Sequence, residues 1–168
     1  MKYMVFSNGM VSVRPWFYTF AVISLSALGL TALATQSQQT GPSPLGPADR
    51  EVLAKNFVKE RLQVWQKRLN LEKWKIDVRL VRHASLKPQT LGNIHWDYAT
   101  MLATIDVQSS YDYKLSFPEM LDDMEFTVVH ELIHLELSSL PRSEASRSAE
   151  EHAVNEITQA FLNLAKKR

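Results

Sequence analysis

The chain contains no cysteine among its 168 residues. Disulfides, thiol catalysis and cysteine-ligated zinc ribbons are therefore excluded. It also lacks an excess of either charge. Outside the first 34 residues there are 17 Lys and Arg, the chain's 19 less Lys2 and Arg14, against 18 Asp and Glu. A nucleic-acid surface needs a clustered basic excess, so nucleic acid is not an expected partner. The terminal Lys166-Lys167-Arg168 reads as cationic charge at the C-terminal end of a helix, where the dipole favours it. No internal repeat and no twin arginine is present.

Charge is absent altogether from residues 16–34, "WFYTFAVISLSALGLTALA", with Lys2 and Arg14 before them. A signal peptide or an N-terminal membrane anchor over residues 1–34 is expected from this pattern. Ala32-Leu33-Ala34 has the form of a signal-peptidase site, whereas the 19-residue run has the length of an anchor. Either outcome exports the rest of the chain to a periplasmic or extracellular location. An exported domain without disulfides must be held by its core, with help from a metal if one binds.

Residues 35–48, "TQSQQTGPSPLGPA", read as a flexible linker. The domain is expected over residues 49–168. Apolar spacing predicts a helix from Asp49, as N-cap, to Leu71, with Val52, Leu53, Phe57, Leu62, Trp65 and Leu69 recurring. Alternation over Lys73–His83 predicts a half-buried strand. Thr90–Gln108 predicts two short strands about a turn at Asp97-Tyr98. A capping box, Ser116 with Glu119, starts a helix running to about Leu137. After a loop at 141–148, a final helix spans about 149–166, with Ala153, Ile157, Phe161 and Leu164 sharing a face. Helix, strands, helix, helix is an α+β plan with a small, mostly antiparallel sheet.

"VVHELIHLEL" (Val128 to Leu137) sets two histidines and a glutamate in a very apolar stretch. Burying such groups costs a few kcal/mol each unless they are satisfied, and a metal ion satisfies them together. His130 and His134 lie four apart, one helical turn, so two imidazoles can reach one ion. Glu131 lies about a third of a turn round, placed to take a proton from water at the ion rather than to ligate it. The pattern is HExxH, a zinc (Zn2+) motif. The competing reading is a buried helix with two hydrogen-bonded histidines. A third ligand is required, and the choice is Glu151 on the next helix, with Glu150 and His152 as alternatives. Asn155, one turn beyond Glu151, could accept a ring N–H of a ligand histidine. Against this, Ser148 to Glu151 also reads as a capping box with a purely local role.

"HELIH" (His130 to His134) followed by "EEHAVNEI" (Glu150 to Ile157) resembles the gluzincin zinc metallopeptidases, in minimal single-lobe or ImmA/IrrE-like form. The resemblance covers about 30 residues. It implies a zincin-like domain of backing helix, small sheet, active-site helix and glutamate helix. It implies His130, His134 and Glu151 as metal ligands and Glu131 as the catalytic base for hydrolysing a peptide or protein substrate. The position where such enzymes usually carry an acid is Asn155 here, a departure. The resemblance also implies a substrate strand on the sheet's edge, for which Met101–Gln108 is the candidate. Tyr111, Tyr113 and His152 are candidate donors to the reacting oxygen, and no spacing selects among them. The alternative function is a non-catalytic, zinc-stabilised cell-envelope binding module on a degenerate peptidase fold.

Overall fold

A computed structural model describes residues 45–141 and 147–167, which belong to one compact unit. The 16–34 segment, the linker through residue 44 and most of the 141–148 loop lie outside the described residues. No helix among the described residues is long and apolar enough to cross a membrane.

Helix α1 (Pro47–Arg68) begins two residues before Asp49. Gly46 is the N-cap, Pro47 takes the first position, where a missing N–H costs nothing, and Asp49 falls within the first turn. The helix ends at Arg68 rather than Leu71. Asn70 adopts φ 54°, its N–H bonds to Lys67 O and that of Leu71 to Gln66 O. This is a Schellman stop, and Leu71 is buried after it. The inward face of α1 is Ala54, Val58, Leu62 and Trp65, while Val52 and Leu53 are exposed. The small Ala54 marks the seam more truly than its bulkier neighbours.

Strands β1 (Lys75–Val81), β2 (Gly92–Asp97) and β3 (Leu102–Gln108) form one sheet in the order β1-β3-β2. Asp97 shapes the β2–β3 turn by accepting from Ala99 N and Thr100 Oγ1. The sheet is mixed, not mostly antiparallel, because β3 pairs parallel with β1 and antiparallel with β2. Alternation in sequence fixes which face a side chain takes, not which strand lies alongside. The Met101–Gln108 stretch is therefore the central strand, bonded on both sides, and cannot accept an added strand. β2 is an edge. Gln108 N donates to Leu91 O, so the alternation of the ladder turns the backbone groups of Gly92 and Ile94 away from β3.

One sheet face carries Val78, Ile94, Ala103, Ile105 and Val107, all buried. They join the core formed with α1 and with α2 (Phe117–Glu136), which supplies Met120, Met124, Val128 and Leu132. The capping box at Ser116 forms as expected: Glu119 Oε2 accepts from Ser116 N at 3.1 Å and from its hydroxyl at 2.6 Å. Trp65 Nε1 donates to Glu125 at 2.7 Å, tying α1 to α2. Helix α3 (Arg147–Lys166) lies against α2, with Lys166 Nζ 3.1 Å from Asp122.

The face of α3 differs from the expected one. Val154, Thr158, Leu162 and Glu151 are buried, whereas of the expected face only Phe161 packs against the core, partly buried, and Ala153, Ile157 and Leu164 are exposed. The helix is turned by about one residue, roughly 100°, from its most apolar orientation. Thr158 is accommodated by donating to Val154 O at 2.7 Å. Ile105 is fully buried on the central strand. Ile105→Ala is expected to cost about 2–5 kcal/mol in urea unfolding, with the denaturant slope unchanged.

Candidate metal centre

Two helices converge on one point. Helix α2 presents His130 and His134 on successive turns, and the rotation of α3 turns Glu151 toward them. His130 Nε2 and His134 Nε2 are 3.0 Å apart. Glu151 Oε2 lies 3.5 Å from the first and 3.4 Å from the second. Bonds of 2.0–2.1 Å in tetrahedral array place ligand atoms about 3.3 Å apart, so this triangle matches the spacing of three ligands around one small cation. The three side chains are buried and could hold a metal ion.

The donor chemistry points the same way. Both Glu151 oxygens are buried and make no hydrogen bond among the described residues. A buried carboxylate without a donor is costly, and a cation relieves that cost. Burial alone would push the Glu151 carboxyl up, but the adjacent imidazoles of His130 and His134 outweigh it and hold it at about 2. It is thus ready to ligate in its charged form. Burial pushes His130 below the usual histidine range, which favours the neutral imidazole a metal needs.

The sequence alternatives for the third ligand are separated. Ser148 lies inside α3, not at its cap, so Glu151 is released from the capping role. His152 is exposed and faces away from the pair. Glu150 turns to the other side of His134, with Oε1 3.2 Å from Nδ1. Asn155 lies close enough to His130 to favour its charged form slightly. Of the candidate tyrosines, Tyr113 donates to Asp123 at 2.8 Å and is engaged away from the imidazoles. Tyr111 is half exposed beneath the Arg82 guanidinium.

Glu131 is fully enclosed and lies against β2. Burial raises its carboxyl well above the usual range, with the charges of Glu151 and Asp106 adding to the effect. Such a group holds a proton readily. Gly92 is the residue that sequence reasoning missed. A Cβ there would lie 2.4 Å from Thr127 Cγ2, 2.9 Å from Asp106 O and 3.4 Å from Glu131 Oε1. Only glycine lets β2 lie this close to α2. The signal was its isolation, since no other glycine follows residue 46.

Gly92→Ala is expected to cost about 1–3 kcal/mol by overpacking in denaturant titration. Glu131→Gln has a pH signature in the metal-free protein. The folded-state pKa of Glu131 is raised above its unfolded value of about 4.5. Its contribution to stability is therefore present below 4.5 and lost as pH rises. Metal-free Glu131→Gln should be more stable than wild type in urea at pH 8, the gap closing toward pH 4.5.

No protein-family model, no curated protein and no solved structure matches the chain.

Proposed function

We propose that the chain is an exported zinc-dependent metallopeptidase of gluzincin type on a zincin-like domain. The observation that carries this reading is the triangle of His130 Nε2, His134 Nε2 and Glu151 Oε2, with sides of 3.0 to 3.5 Å, beside the enclosed Glu131. Two imidazoles and a carboxylate suit zinc, and three protein ligands leave a coordination position open. Export rests on the uncharged run at residues 16–34.

Zinc, when bound, supplies Lewis acidity that activates water near neutral pH and polarises a carbonyl. The chain's own residues divide the remaining work. His130 and His134 give Nε2 lone pairs from one rigid helix. Glu151 adds a carboxylate oxygen from the facing helix. Glu131 takes a proton from the attacking water at its carboxylate and delivers it to the leaving amine nitrogen. The outward backbone groups of Gly92 and Ile94 on β2 can pair with an extended peptide, the usual mode of strand addition. β2 therefore replaces Met101–Gln108 as the substrate strand.

A second reading is favoured by one observation: His134 is 0% exposed, Glu131 1% and Glu151 5%. So complete an enclosure suits a zinc-stabilised cell-envelope binding module as well as an enzyme. Glu131 separates the two, because a structural site has no use for a base. Purified protein should bind about one zinc per chain, as a single three-ligand site requires. Glu131→Gln should retain that zinc and lose hydrolysis of a peptide library, whereas His130→Ala should lose both. Hydrolysis by Glu131→Gln at the wild-type rate would remove Glu131 as the base, whereas a zinc-loaded wild type that hydrolyses no peptide would remove the enzyme reading and leave the binding module.

A further inference from the structure

Both ring nitrogens of His134 face carboxylates from consecutive residues of α3. Glu151 Oε2 lies 3.4 Å from Nε2, and Glu150 Oε1 lies 3.2 Å from Nδ1. Neighbouring residues of a helix diverge by about 100°, so a single turn of α3 reaches around the imidazole from two sides. His134 is 0% exposed, and the Glu150 side chain is only 14% exposed. The contact is thus screened little by solvent.

We propose that Glu150 is the positioning carboxylate of the metal site: it fixes His134 through Nδ1 and supplies the negative charge that neutralises the buried centre. The inference rests on the metal reading above. A carboxylate at Nδ1 holds the proton there and leaves the Nε2 lone pair for the ion. It also fixes the plane of the ring.

The charge balance points to the same residue. A divalent cation with two neutral imidazoles and the Glu151 carboxylate keeps one uncompensated positive charge. Net charge in a buried site is expensive. Asn155 beside His130 is neutral and offsets none of it. Glu131 carries and releases the reacting proton, so it is no permanent counter-charge. Among the described residues, Glu150 is the remaining acid in contact with a ligand.

Glu150 also lies in the first turn of α3, where an acid favours the helix dipole. That role would change helix stability but not metal affinity. The test compares the full chain as wild type, Glu150→Gln, Glu150→Ala and Glu156→Gln, the last an exposed charge on the same helix. Zinc affinity is read by competition with a chromophoric chelator, coordination by the visible spectrum of the cobalt(II) form, and the fold by melting of the metal-free protein. Glu150→Ala should weaken zinc binding by about 10–100-fold, with a smaller loss for Gln, which keeps an acceptor oxygen but not the charge. The cobalt bands of Glu150→Ala should shift, and Glu156→Gln should match wild type. Zinc affinities of both Glu150 variants within about threefold of Glu156→Gln would overturn the proposal, because a ligand-orienting carboxylate costs more than that when removed. If Glu150→Ala does not fold, the comparison of Glu150→Gln with Glu156→Gln decides alone. If wild type itself binds no zinc, the metal reading fails first, and the role of Glu150 falls with it.

Discussion

The α2–α3 interface is organised around a buried carboxylate set against two buried imidazoles. Glu151 is 5% exposed, and both its oxygens lack hydrogen-bond donors among the described residues. An unsatisfied buried acid costs several kcal/mol. Turning α3 by about one residue would bury Ile157 in place of Thr158, but it would also bring Glu150 to the position of Glu151, so an acid faces α2 in either phase. Among the described residues, the two imidazoles lie within 3.5 Å of the inward Glu151 carboxylate.

From that constraint the rest of the architecture follows in order. The imidazoles must sit on a rigid, fully packed helix, and α2 is buried continuously from Thr127 to Leu135. That helix must be backed, and α1 backs it through Ala54, Val58, Leu62 and Trp65. The sheet closes the remaining side, and Gly92 lets its edge strand come within contact of Thr127 and Glu131. The short mixed sheet is thus less a scaffold than a wall, placing one strand edge beside the buried Glu131 carboxyl.

Much of this was legible in the sequence. The capping box at Ser116, the four-residue histidine spacing, the alternation over Lys75–Val81 and the choice of Glu151 all rest on local rules. Local rules hold where neighbours in sequence are neighbours in space. What was illegible needed the tertiary partner. The parallel pairing of β1 with β3 depends on which strand arrives alongside. The phase of α3 was misjudged because hydropathy counts Ile157 and Leu164 as core, whereas the site draws Glu151 inward and overrides them. That Glu150 and Glu151 face opposite nitrogens of His134 turns on a single step of about 100° that no composition records. Gly92 was overlooked because its role is an absence, the missing Cβ that would strike Thr127.

The three residues that could hold an ion are split unevenly along the chain: two four residues apart, and a third 17 residues after His134. An ion held by all three would close the intervening loop covalently in all but name. The conformational freedom removed by tying such a loop is worth about 3 kcal/mol on the chain-entropy model for a loop of similar length. In a protein with no cysteine, the cation would thus act as the topological cross-link that sulfur usually provides. A chelator would then dissolve that cross-link where a reductant could find nothing to reduce.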